Sequence, residues 1–243
     1  GFSEKSLNEA VDGSLKRLKT DYIDLYQLHW PERSTNTFGQ RGFKYIESDN
    51  WTDNFEKILH TLKKIIDSGK IRHVGLSNEN PWAVMKFLEL SKNNLPRMIT
   101  IQNPYSLLNR LFEVGNSEVC MRENIGLLAY SPLGFGVLSG KYLNGRLPEG
   151  SRLKLFPNLS RFAGKKSMEA TEYYMKVAKK YDISLTHLAL SFVNSRPFVT
   201  SNIIGASKLD QLKENIASIN INIDEYMIKD IEKVQSIIPN PAP

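Results

Sequence analysis

Two kinds of apolar segment take turns along this chain, and that alternation constrains the fold more than any motif does. In one kind, apolar residues recur every three or four positions, as on one face of a helix. In the other, a few β-prone residues run together between breakers. SEKSLNEAVDGSLKRLK (Ser3–Lys19) places Ser3 as an N-cap, with Leu7, Ala10, Val11, Leu15 and Leu18 at helical spacing. DYIDLYQLHWP (Asp21–Pro31) follows. Its apolar Ile23, Leu25 and Leu28 stand among Tyr22, Tyr26 and Gln27, which predicts a buried strand over Asp21–Trp30 stopped at Pro31.

The pattern repeats. Thr52–Ser68 reads as an amphipathic helix closed by Gly69 in a left-handed cap, and Lys70–Asn78 as a strand. Pro81 suits the first turn of a helix running to about Lys92. Met98–Gln102 is a strand, Val114–Asn124 a short helix and Gly126–Tyr130 a strand. Helices are expected over Ser167–Tyr181, Leu185–Asn194, Lys208–Ile219 and Asp224–Ile237, with a short strand at Ser201–Gly205 and a tail at Pro239–Pro243. Pro31–Asn50 is long for a connection, and Ser131–Lys166 is an irregular segment rich in Gly, Pro and Arg. Strands alternating with helices of this size mean parallel βα units and an α/β fold. Five strands do not close an eight-stranded barrel. The choice lies between a five-stranded doubly wound sheet and most of a barrel lacking its first third. Gly1 leads straight into a helix, which fits a missing upstream part.

Composition excludes several function classes. The chain has 243 residues, is 41% hydrophobic and 24% charged, and carries a net charge of +6. Its cations are scattered, apart from pairs such as Lys63–Lys64, Lys165–Lys166 and Lys179–Lys180, which argues against nucleic-acid binding. The single Cys120 precludes an internal disulfide and fits a reducing compartment. No secretory signal, lipidation motif or long apolar run stands in it, so the expectation is a soluble cytoplasmic protein without membrane insertion. No oligomeric state is legible.

Candidate chemistry gathers where apolar strands end. His29, beside Trp30, stands at the carboxyl end of its strand, where parallel barrels place their chemistry, and can polarise a carbonyl or move a proton. A hydrogen-bonded structural histidine is the alternative. Ser77–Asn78, Gln102–Asn103, Tyr130–Ser131 and Ser207–Lys208 end other strands in the same way. Together they describe hydrogen-bonding groups with an aromatic face, suited to a flat polar heterocycle. In GASKLDQLKEN (Gly205–Asn215), small residues precede a helix whose N-terminus suits an anion, with Lys208 adding charge and Gln211, Glu214 and Asn215 on roughly one face. By spacing alone, a plain capped surface helix is the simpler reading. No GxGxxG or P-loop is present, and Cys120 with His29, His60, His73 and His187 gives no zinc spacing. His60, His73 and His187 read as structural.

The motifs SLKRLKTDYIDLYQLHWP, GKIRHVGLSN, IQNPYSLLNR, YSPLGFGVLSGKYLNG and NIIGASKLDQLKENI occur in the order found in the aldo-keto reductase superfamily, and the chain resembles its Tas-like branch, relatives of the potassium-channel β subunits. The resemblance covers residues 1–243 as one aldo-keto reductase domain, N-terminally incomplete. It implies a (β/α)8 TIM-type barrel of which this chain supplies about five strands plus extra helices. It also implies NADPH or NADH as cofactor and a small-molecule carbonyl substrate reduced to an alcohol by hydride transfer. By the same resemblance His29 is catalytic. Ser77, Asn78 and Gln102 hold the nicotinamide carboxamide, and Tyr130 stacks on its ring. Ser131, Leu133, Gly134 and Lys141, with Arg152 as a further candidate, cover the pyrophosphate. Gly205, Ser207, Gln211, Glu214 and Asn215 meet the adenosine phosphate and adenine. Lys208 is the candidate for a 2′-phosphate, which alone does not fix NADP over NAD. The family's catalytic Asp, Tyr and Lys match no residue here, so the chain alone is expected to be catalytically incompetent. The alternative from another class is a nucleotide-binding regulatory or partner subunit without significant turnover.

Overall fold

The computed structural model describes residues 1–158 and 161–243. Positions 159 and 160, inside the segment expected to be irregular, lie outside the described residues. The chain divides into two compact units, one of Gly1–Asn103 with Gly115–Leu127 and the other of Pro104–Val114 with Leu128–Pro243.

The first unit begins with α1 (Glu4–Leu18), capped by the Ser3 hydroxyl, which accepts from Ser6 N–H, and closed by a left-handed Lys19. Next come β1 (Ile23–Leu28), α2 (Phe55–Asp67), β2 (Ile71–Ser77), α3 (Pro81–Ser91) and β3 (Met98–Pro104). After a break in the unit, α4 (Asn116–Glu123) leads into β4 (Gly126–Tyr130). Each helix follows from local rules. Gly69 at φ +80° ends α2, and Pro81 fills the first turn of α3. Phe55, Ile58, Leu59, Leu62 and Ile65 form the buried stripe of α2. Cys120 on α4 is free and buried, and burial pushes its thiol up to about 12, which makes it inert near neutral pH.

β1 and β2 pair in parallel, as do β2 and β3. The hydrogen-bonded strand order of the sheet is β1-β2-β3-β4-β5, where β5 is Val199–Asn202. That order follows the chain without reversal. A doubly wound sheet reverses direction at a switch point, whereas a (β/α) barrel adds each strand beside the last. The fold is therefore the α/β arrangement of barrel type, and the doubly wound alternative is set aside. β1 departs from the expected buried strand. It is shorter than Asp21–Trp30, and only Leu28 is fully buried, because the strand has a neighbour on one side alone.

Two contacts tighten the first unit. A Cβ built on Gly75 would lie 2.2 Å from Thr100 Oγ1 and 3.0 Å from the Thr100 main-chain oxygen, so β2 and β3 approach as only glycine permits. Beyond the strands, Arg33 grips Glu79 with two hydrogen bonds of 2.8 and 2.7 Å, both side chains being less than a tenth exposed. The Arg33 guanidinium also lies over the rings of Trp82 and Phe55, at 5.1 and 5.8 Å from their centroids. This pair ties the start of the long Pro31–Asn50 connection to the turn after β2.

The second unit contains the single turn Leu111–Val114, β5 and the helices α5 (Arg152–Leu155), α6 (Lys165–Lys180), α7 (Leu185–Asn194), α8 (Leu209–Ala217) and α9 (Glu225–Ile237). α7 and α9 are capped by Ser184 and Asp224, which accept from His187 and Met227 N–H. β5 lies two to three residues earlier than the expected Ser201–Gly205, and Ile203 N–H then donates to the Ala129 oxygen. Tyr105, Tyr174, Phe162 and Phe192 fill the core, with the Tyr174 hydroxyl donating to the Leu107 oxygen at 3.1 Å. Buried Arg110 bonds Glu113 at 2.8 and 2.7 Å and Glu232 at 2.9 Å, and lies over Phe192. Residues 239–243 form no free tail. Arg110 N–H donates to Asn240 Oδ1, Ala242 N–H donates to the Leu108 oxygen, and Ala242 is buried.

Gly75→Ala is expected to lower the unfolding free energy by about 1–3 kcal/mol through overpacking, measured by urea denaturation. Arg33→Met leaves Glu79 buried without its partner and is expected to cost about 3–5 kcal/mol, while Arg33→Met combined with Glu79→Leu recovers most of the loss in the same measurement.

Candidate functional site

In the first unit the carboxyl ends of three parallel strands meet in one hydrogen-bonded cluster. The Gln102 main-chain oxygen accepts from Ser77 Oγ at 2.8 Å and from Asn78 N–H at 3.0 Å. Asn78 has φ +55°, a left-handed conformation that asparagine tolerates better than most residues. That turn brings its Nδ2 to the His29 main-chain oxygen at 2.8 Å and to Ser77 Oγ at 3.1 Å. Ser77, Asn78, Gln102 and the backbone of His29 are thus brought together. The His29 ring is exposed and lies 4.1 Å, centroid to centroid, from Trp30.

A supporting layer lies behind this cluster. Gln102 Nε2 donates to Gln27 Oε1 at 2.8 Å. Asn103 clasps Glu79 by both backbone groups, accepting from its N–H at 3.2 Å and donating to its oxygen at 2.9 Å, and Asn116 Nδ2 donates to the same oxygen at 3.0 Å. Gln27, Arg33 and Glu79 did not stand out by motif. The two-residue period of a strand, which puts Gln27 on the face of His29, is the signal that points to the first of them.

In the second unit Tyr130 ends β4. Burial pushes its phenol above the ordinary range, while a hydrogen bond and the nearby charge of Arg161 pull the other way. Arg161 Nε also donates to the Pro243 oxygen at 2.7 Å. After Tyr130 the segment expected to be irregular is tightly coiled. Ser131, Gly134, Phe135, Gly136 and Gly140 all have positive φ. Gly134 N–H donates to the Ser131 oxygen, and Gly136 N–H to that of Leu133, both at 2.9 Å. The coil thus satisfies these N–H groups with its own main-chain oxygens. Lys141 fills the space beside Gly136, where a Cβ would come within 2.9 Å of its Cε and Nζ. Arg152 lies over the Phe135 ring at 4.1 Å. Leu133 is half-buried.

The segment before α8 folds back onto that helix. Gln211 Oε1 accepts from Ser207 N–H at 3.1 Å and from its hydroxyl at 3.2 Å, and Asn215 Nδ2 donates to the Gly205 oxygen at 3.5 Å. Because β5 ends at Asn202, Ser207–Lys208 does not end a strand as expected. It sits at the start of α8 instead, with Lys208 exposed. Within α8, Gln211, Glu214 and Asn215 keep the i, i+3, i+4 spacing of one face, and Glu214 is in addition held by α7. Its carboxylate accepts from Ser184 Oγ at 2.7 Å, and its main-chain oxygen lies 3.1 Å from His187 Nε2. His60 and His73 are exposed. Among the described residues, no group of His, Cys, Asp and Glu is placed to hold a metal, and no helix is long and apolar enough to cross a membrane.

Comparison with known proteins fits this arrangement. Residues 1–236 match the Aldo/keto reductase family. "Protein tas" of Escherichia coli (strain K12) is 46% identical over 248 residues, spanning 100% of this chain and 70% of that protein. An "Aldo-keto reductase" of Babesia bovis is 42% identical over 88% of this chain and 80% of its own length. A "Putative voltage-gated potassium channel subunit beta" of Schizosaccharomyces pombe is 28% identical over 98% of this chain and 65% of its own length. A family match over almost the whole chain, with Tas similarity throughout, leads to one conclusion: the chain belongs to the aldo/keto reductase family of oxidoreductases.

Proposed function

We propose that this chain binds NADPH and serves the reduction of an aldehyde or ketone to an alcohol. The observation that carries the reading is the Ser77–Asn78–Gln102 cluster beside His29. A primary carboxamide offers one acceptor and two donor hydrogens. Side-chain hydroxyl and amide groups at the end of a parallel sheet suit such a group, and Gln102 Oε1 has no hydrogen-bond partner among the described residues. Ser77, Asn78 and Gln102 would hold the carboxamide, and Tyr130 the ring face. Ser131, Leu133 and Gly134, with Lys141 and Arg152, would take the pyrophosphate. Gly205, Ser207, Gln211, Glu214 and Asn215 would take the adenosine end, and exposed Lys208 a 2′-phosphate.

The bound nicotinamide supplies the hydride. The chain's own part is positional and electrostatic. By holding the carboxamide, Ser77, Asn78 and Gln102 would fix which ring face is presented, and the His29 imidazole would donate to the substrate oxygen and stabilise the negative charge that grows on it. Completion needs one proton on that oxygen. In this reading the donor is the family's tyrosine, which matches no residue of 1–243, so these residues alone bind the nucleotide without turning it over. The printed similarity to a channel β subunit favours a second reading, a nucleotide-binding partner subunit.

NADPH is expected to quench the fluorescence of Trp30, Trp51 and Trp82 saturably, with no sustained NADPH oxidation when an aromatic aldehyde is added. Absence of binding removes the cofactor reading. Steady aldehyde reduction by residues 1–243, abolished by His29→Ala, overturns the expected lack of turnover.

A further inference from the structure

The side-chain amides of Gln27 and Gln102 form a directed chain that starts from a group unable to reverse. Gln27 Nε2 donates to the Leu76 main-chain oxygen at 3.1 Å and to Thr100 Oγ1 at 3.3 Å. A carbonyl oxygen only accepts, so the end of Gln27 facing Leu76 is its NH2 and the other end is its oxygen. That oxygen accepts from Gln102 Nε2 at 2.8 Å. Gln102 is oriented in turn. Its NH2 faces Gln27, and its Oε1 is left as an acceptor with no hydrogen-bond partner among the described residues. Reversing Gln102 would oppose two oxygens and forfeit the bond between the glutamines. Gly75 makes room for the arrangement, because a Cβ there would lie 2.2 Å from Thr100 Oγ1 and 3.4 Å from Gln27 Cγ.

We propose that Gln27 is a positioning residue: by holding Gln102 in one amide orientation, it makes this site select a primary carboxamide over a methyl ketone of the same shape. The inference rests on the reading that Gln102 meets the nicotinamide carboxamide. The carboxamide NH2 donates to Gln102 Oε1. An acetyl group keeps the carbonyl but replaces that NH2 with a methyl, which has no hydrogen to donate. The ratio of the two affinities therefore reports which end of Gln102 faces the ligand.

Dissociation constants for NADP⁺ and for its 3-acetylpyridine analogue are measured by tryptophan-fluorescence titration of the full chain and its variants. The wild-type protein is expected to prefer the carboxamide by about tenfold, the worth of one hydrogen bond. In Gln27→Met either end of Gln102 faces the ligand, and the preference falls to about twofold or less. Gln27→Leu, which likewise has no group to orient Gln102, is expected to lose the preference in the same way. A merely structural role for Gln27 would weaken both nucleotides together and leave their ratio unchanged. A wild-type preference that survives in Gln27→Met or in Gln27→Leu overturns the proposal. Should Gln27→Met not fold, Gln27→Leu and Gln102→Met carry the test, both losing the preference; a preference kept in either overturns the proposal. Equal affinities in the wild type overturn the amide polarity while leaving an NADP site standing. Binding of neither nucleotide overturns the cofactor reading and this inference with it.

Discussion

One main-chain oxygen organises the polar end of the first unit. The carbonyl of Gln102 accepts from the Ser77 hydroxyl and the Asn78 amide, which locks the end of β2 onto β3. With that junction made, the chain at Asn78 turns into the left-handed region, at a cost of about 1–2 kcal/mol for an ordinary residue. Asparagine lowers the cost, and its side chain uses the turn to reach back to β1 through the His29 oxygen. Three strand ends are thus registered by hydrogen bonds to backbone groups, whose positions the sheet already sets. Polar side chains anchored in this way lose little further freedom when a ligand arrives, which is the physical content of preorganisation.

The Arg33–Glu79 pair does different work. A buried ion pair is weak support for stability, since desolvation offsets much of its attraction. Its consequence here is geometric. Glu79 directly follows Asn78, and its backbone is clasped on both sides by Asn103. Arg33 ties the entry of the long connection after β1 to that same point. Beyond Arg33 the connection stays tied to the same turn, since Asn80 Nδ2 donates to Thr35 Oγ1 at 2.7 Å and to Asn36 Oδ1 at 3.0 Å.

Much of this was legible in the sequence because it depends on local rules. Gly69, Pro81, Ser3 and Asp224 act through the backbone of their own turns, and the structure uses each as its residue type requires. Gly126–Tyr130 was bounded correctly because the run is short and sharply flanked. The shift of β5 has the opposite origin. VTSN has two β-branched residues in only four positions, too short a run to mark its own ends, and its extent is set by the neighbouring strand. The exposure of β1 is likewise a property of its place in the sheet rather than of DYIDLYQLHW. The site was legible as a set of residue types and not as a set of contacts. Gln27 reaches Leu76 and Thr100, 49 and 73 positions away, and Arg33 reaches Glu79 across 46, separations that no period or spacing encodes.

The attachment of residues 239–243 bears on how the second unit is made. Ala242 is joined to Leu108, and Arg110 to Asn240, so the turn at residues 108–110, translated early, waits for partners that leave the ribosome more than a hundred residues later. Closing so long a loop is slow, and buried Arg110 has one of its acceptors, Glu232, only when α9 exists. Until that helix is made, the Arg110 guanidinium over Phe192 has Glu113 as a carboxylate partner but lacks Glu232.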